Sequence, residues 1–250
     1  MSEHPSYPDD PHRLSQITTL WSVVHRAHGS ETADAQLAKQ QLLELYGTAI
    51  RRYLTGALRD EAAAEDVYQN FAVQFLQGRL ASADRERGRF RSFLKTALSR
   101  TVAEHHRKRG RDRLAQHEDQ AFDLVAVEAE QEAFDNSWRS TLLARAWDAL
   151  GESERASGRP LFSVLRARVE KPDATSTDLA GELSKSLERT LTSTHFRVWL
   201  HRARESFAKL LIGKISQSLE TADRDSIERE LSELRLLDYC RPALDRYEFD

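Results

Sequence analysis

Apolar residues recur three and four positions apart along most of this 250-residue chain, and that spacing leaves helices as the way to bury them. Residues 33–58 are the longest instance. Leu37, Leu42, Leu43, Leu45, Tyr46, Ile50, Tyr53 and Leu54 keep one stripe there, with Arg51 and Arg52 on its far side or edge. Strict apolar–polar alternation, the mark of a half-buried strand, is almost absent. The chain holds only ten Gly and six Pro, so few breakers interrupt these patterns. The expected fold class is all-α.

The same periodicity predicts a short helix over residues 16–28, the long one over 33–58, and a third over 62–77 with Val67, Phe71, Phe75 and Leu76 buried. A loop is expected over 78–88. A further helix is expected over 89–108, with Phe90, Phe93, Leu94, Ala97, Leu98 and Val102 at core spacing. Beyond it, helices are predicted at 134–150, 161–169, 177–187 and 193–212, and one more in the tail around Ile227, Leu231, Leu234 and Leu237. Trp138 and Trp147 are expected in the core of a second module. The Pro- and Asp-rich residues 1–15 read as a disordered terminus.

Charge divides the chain more sharply than hydropathy does. The whole is only −3, yet residues 85–113 carry eleven Arg and Lys against three Asp and Glu. Residues 114–135 reverse the sign, with seven acids and no Arg or Lys, and read as an acidic, partly helical linker. Residues 219–250 hold ten acids and five bases. Two helical modules follow, 16–113 and 136–212, joined by the linker and trailed by an acidic helical tail at 213–250. A basic patch on a near-neutral protein is the footprint of a polyanion partner. An acidic tether beside it is suited to mask it when nucleic acid is absent.

Each module presents a basic helix. In the second, the 177–187 helix followed by the one at 193–212 has the outline of a helix-turn-helix, with Ser193, Thr194, His195 and Arg197 at the base-reading end. In the first, Phe90 and Phe93 are candidates for stacking on unpaired bases. Their i, i+3 spacing also suits plain core residues, and that alternative stays open.

Residues 64–70 (AEDVYQN), then 88–94 (GRFRSFL), then a basic helix end resemble region 2 of bacterial RNA polymerase sigma factors of the extracytoplasmic-function type. Residues 196–204 (FRVWLHRAR), after the 177–187 helix, resemble their region 4. The start around Trp21 and the long segment between the regions are similar to planctomycete-like sigma variants. The resemblance implies that Asp66, Gln69, Asn70 and Gln74 dock on core RNA polymerase, although the family usually carries an acid at the position of Asn70. It implies that Arg89, Phe90, Arg91, Phe93, Lys95, Arg100, Arg107 and Lys108, with the loop from residue 83, read and open the minus-ten promoter element. It implies that Ser193, Thr194, His195, Arg197, His201, Arg202 and Arg204 read the minus-thirty-five element as duplex.

The partners so implied are core RNA polymerase and promoter DNA, and an anti-sigma factor stays open as a third. The expected function is promoter recognition and opening. A helix-turn-helix regulator not associated with polymerase, and a sigma-fold interaction protein without promoter activity, are the alternatives. No enzyme, cofactor or metal is expected. Glu61, Glu65 and Asp66 read as a solvated helix start, the nine histidines lack ligand spacing, and no phosphate loop or nucleophile elbow occurs. The lone Cys240 permits no internal disulfide, no apolar run reaches the roughly 18–20 residues of a membrane span, and the terminus has no signal-peptide core. A cytoplasmic location without membrane contact is expected.

Overall fold

The computed structural model describes residues 23–24, 32–80, 89–113 and 124–246, with residues 110–113 and 124–131 described by backbone alone. The expected disordered terminus, the 16–28 helix apart from residues 23–24, most of the 78–88 loop and residues 114–123 of the linker lie outside the described residues.

Nine helices form among the described residues: α1 (Ala33–Leu58), α2 (Glu61–Leu76), α3 (Phe90–Arg113), α4 (Leu124–Ser157), α5 (Leu161–Glu170), α6 (Ser176–Ser186), α7 (Ser193–Ser216), α8 (Arg224–Glu233) and α9 (Leu237–Leu244). No strand occurs among the described residues. A single antiparallel bridge pairs Arg89 with Leu219. The all-α expectation holds.

The chain forms two compact units. Among the described residues, unit 1 takes 23–24, 32–80, 89–113, 124–141 and 215–230; unit 2 takes 142–214 and 231–246. These boundaries differ from the expected modules. Much of the presumed linker is helix, because α4 starts at Leu124 and runs unbroken to Ser157. Its composition explains this: from Leu124 onward, Leu, Val, Ala and Glu offer no breaker. Part of the presumed tail, residues 215–230, belongs to unit 1.

In unit 1, α1 begins at the N-cap Thr32, whose side chain accepts from the Ala35 amide. It ends at Arg59, in the left-handed region at φ 52°, and Asp60 at once caps α2 by accepting from Ala63. The two helices run antiparallel, since Arg51 meets Glu65 and Lys39 donates to the carbonyl of Leu76. Gly47 permits their close approach, because a Cβ there would stand 2.7 Å from the Tyr68 hydroxyl. Gly78, at φ 69°, closes α2 as its amide bonds the carbonyl of Phe75.

Aromatic rings fill the centre of unit 1. Phe90, fully buried, lies between the rings of Tyr46, Phe75, Phe93 and Trp138. Trp138 stacks on Tyr46 at 4.0 Å and Phe134 meets Tyr53 edge-on at 5.4 Å. Trp138 therefore belongs to the core of the first unit, not the second. Its residue spacing from Phe134 marks a buried face but says nothing of which neighbour covers it.

Unit 2 closes around Leu179, Phe196, Ala203, Leu211 and Leu244, all buried. Trp147 packs against Phe162 and Phe207, and Phe207 against Tyr239. Cys240 is buried in this unit, and burial pushes its thiol up to about 12.

The aromatic centre of unit 1 yields a test. Trp138→Ala is expected to lower the unfolding free energy by about 3–5 kcal/mol. The Trp138 Nε1 is buried with no hydrogen-bond partner among the described residues, so Trp138→Phe gives up no hydrogen bond seen there. That variant deletes only part of the ring system and is expected to cost about 1–2 kcal/mol. Urea unfolding of both variants measures the difference; equal losses would show that ring packing is not what holds the unit.

Candidate functional site

Helix α2 carries a polar ridge. Asp66, Gln69, Asn70 and Gln74 are all exposed, at i, i+3, i+4 and i+8, so they share one face. Val73, 51% exposed, and the exposed Gln77 extend it. Neither was singled out from sequence, though i+7 and i+11 spacing from Asp66 places both on the same face. The ridge is anchored from α1. Arg51 donates to Glu65 at 3.0 Å, and Gln69 donates to the other Glu65 oxygen at 3.3 Å. These hydrogen bonds, Arg51's first, hold the Glu65 carboxyl below the usual carboxylate range. The Arg51 guanidinium also lies 3.7 Å from the centre of the Tyr68 ring. The Asn70 side chain donates to the carbonyl of Asp66 at 2.9 Å.

Helix α3 divides into two halves with different neighbours. At its start, Phe90 and Phe93 are in the core. Arg91 is only 3% exposed and its guanidinium bonds two carboxylates: Nε and Nη2 donate to Glu230 of α8, and Nη1 donates to Asp135 of α4. Glu230 is 1% exposed and also takes a bond from Arg89 at 3.1 Å. Lys95 donates to the second oxygen of Asp135 at 3.0 Å. Backbone pairing adds to this, as the Phe90 amide donates to the carbonyl of Ser218 at 3.1 Å. Three cations are thus met by two carboxylates within unit 1. A buried guanidinium is tolerated when its fork is satisfied in this way.

The structure corrects the minus-ten set accordingly. Phe90, Arg91 and Phe93 are buried and cannot meet a base or a phosphate from where they stand. Arg89 and Lys95 are half-buried and ion-paired. Burial of the two phenylalanines follows from their i, i+3 spacing, whereas Arg91 is covered by the elements that bring Glu230 and Asp135. The second half of α3 is different: Arg100, Arg107, Lys108 and Arg109 are all exposed. Arg109 lies 3.7 Å from Asp60, an exposed pair of little energetic weight. The loop expected to join in promoter opening lies outside the described residues up to Gly88.

In unit 2, α6 opens with a capping box: Thr175 accepts from the Asp178 amide, and Asp178 accepts from the Thr175 amide. The turn to α7 is held by Ser184, whose hydroxyl accepts from the Leu191 amide at 2.8 Å. Glu188 adopts φ 50° within that turn. Thr192 then caps α7 by accepting from the His195 amide at 3.2 Å. Arg168 ties the other side. Its guanidinium donates to the carbonyls of Pro172 and Ala174 and lies 5.7 Å from the Phe196 ring. Along α7, Thr194, His195, Arg197, His201, Arg202 and Arg204 are exposed, and Ser193 is half-buried. Val198, 46% exposed, stands among them and was read from sequence as nothing in particular.

No group of three or more His, Cys, Asp or Glu side chains able to hold a metal occurs among the described residues. No helix among them is long and apolar enough to cross a membrane.

These observations define a class: a helical protein with an exposed polar ridge on one helix and exposed basic faces on two others. Residues 42–112, from the middle of α1 to the last residues of α3, match the family model of sigma-70 region 2. That match supports a sigma-factor role in RNA polymerase binding and promoter melting. It excludes Asp135, Ser218 and Glu230, the partners that cover the start of α3. No curated protein and no solved structure matches the chain.

The buried pairing makes a stability prediction. Glu230→Ala leaves part of a buried guanidinium unsatisfied and is expected to cost about 3–5 kcal/mol. Arg100→Ala, on the exposed side of α3, should change stability by less than about 0.5 kcal/mol. Urea titrations of the full chain compare them. Two equally small losses would show that Glu230 is not part of the folded framework.

Proposed function

We propose that this chain is a sigma factor that binds core RNA polymerase and directs promoter recognition and opening, without catalysis of its own. The observation that carries the reading is the match of residues 42–112 to sigma-70 region 2 on helices that also present an exposed polar ridge. A plain helix-turn-helix regulator has no need of that ridge. Asp66, Gln69, Asn70 and Gln74 dock on the polymerase. Asn70 contributes an amide where a carboxylate is usual in the family, so Asp66 supplies the charge of the contact.

The distal half of α3 contacts promoter DNA through Arg100, Arg107, Lys108 and Arg109. Cations there displace condensed counterions from the backbone, which provides affinity and salt dependence. Helix α7 lies on duplex DNA at the minus-thirty-five element. The extracytoplasmic-function type, in a planctomycete-like variant with a lengthened segment between its two DNA-binding parts, is the subclass we assign. An anti-sigma factor is a further expected partner, competing for the α2 ridge or the basic end of α3.

Two measurements test the reading. Asp66→Ala with Gln69→Ala is expected to weaken capture by core polymerase at least tenfold while the chain stays folded; unchanged capture would remove the α2 ridge from the contact. Arg107→Ala with Lys108→Ala is expected to weaken DNA binding by the polymerase complex and to reduce the slope of log affinity against log salt by about two. An unchanged slope would take that helix end out of the interface.

A further inference from the structure

Val198 holds a branched apolar side chain in water at 46% exposure. Single exposed apolar residues are ordinary, so exposure alone decides nothing. Its position does. At about 100° per residue, Thr194, Val198 and His201 fall in one stripe down the exposed face of α7. Arg197 and Arg204 border that stripe on one side, and His195 and Arg202 border it on the other. The opposite face is fixed inward, because Phe196, Leu200 and Ala203 are buried. Arg202 is held at its edge, 5.3 Å from the centre of the Trp199 ring.

Cations on both edges of a helix match the two phosphate rows that border a major groove, and the centre of the face then meets the base edges. Further along the stripe stands Glu205, paired with Lys209 at 3.4 Å and Arg246 at 3.1 Å. A carboxylate there ends the cationic face, which leaves the amino-terminal half of α7 as the reading end. At that end Val198 is the apolar side chain in the middle. In the major groove thymine displays a feature that no other standard base has, its 5-methyl group.

We propose that Val198 is a specificity-determining residue that selects thymine at one position of the duplex element by packing on that methyl group. The proposal rests on the reading of α7 as the duplex-binding helix. Thr194, one turn earlier, presents a hydroxyl and a methyl to the same groove and adds the neighbouring polar contact.

The test uses the full chain with core polymerase and a duplex selected from a random library, with each thymine replaced in turn by deoxyuridine. That replacement removes the methyl group and nothing else. Wild type is expected to lose about fourfold in affinity at one position, the effect of one methyl group withdrawn from an apolar contact. Val198→Ala, a surface change that leaves the core intact, is expected to lose that sensitivity and to select any base there. Selective duplex binding that is indifferent to deoxyuridine everywhere, or equally sensitive in Val198→Ala, overturns the proposal while leaving the duplex-binding role of α7 in place. Failure to select any duplex overturns both.

Discussion

The first unit depends on how the guanidinium of Arg91 is buried. A charge with 3% of its surface exposed is a large desolvation cost unless every donor finds an acceptor. Glu230 and Asp135 supply those acceptors, and they arrive from α8 and α4, far along the chain. The bridge between Arg89 and Leu219 and the amide bond from Phe90 to Ser218 fix the same segment beside the start of α3. Removing the 215–230 segment would therefore take Glu230 from Arg91 and the carbonyl acceptor from the Phe90 amide. The helices that match region 2 are completed by residues outside the match.

That requirement assigns α3 two tasks. Its first half is structural, with Phe90 and Phe93 in the aromatic core and Arg89, Arg91 and Lys95 neutralised. Among the described side chains of its second half, Arg100, Arg107, Lys108 and Arg109 are exposed cations. The apparent excess of positive charge over residues 85–113 overstates what is available to a polyanion, since Arg89, Arg91 and Lys95 are covered and paired with carboxylates. Among the described side chains, the exposed cations are concentrated at one end of the helix, and long-range steering with them.

Much of the fold was legible in the sequence because local rules decide it. The stripe from Leu42 to Leu54 is a short-range signal, and α1 spans Ala33–Leu58 as that stripe predicts. The exposed ridge on α2 was legible for the same reason, as spacing alone separates Asp66, Gln69, Asn70 and Gln74 from Val67, Phe71 and Phe75. What sequence did not reveal is long-range. Nothing local to Arg91 announces Glu230, 139 residues away. Trp138 was expected in the wrong unit because an amphipathic stripe identifies a buried face without naming its partner. The helical part of the acidic stretch is legible in its Leu, Val, Ala and Glu, but its continuity with the helix to Ser157 is not. Val198 went unnoticed because a lone valine within a basic helix carries no signal until its exposure is known.

The central claim is that these surfaces serve promoter-dependent transcription. Run-off transcription with core polymerase and the full chain over a genomic promoter pool tests it most directly. Discrete transcripts that begin at defined sites and vanish when the chain is left out are the predicted result. Binding of core polymerase with no start-site-specific transcript from any promoter would contradict it, and would leave a protein with a sigma-like docking surface but no promoter-reading function.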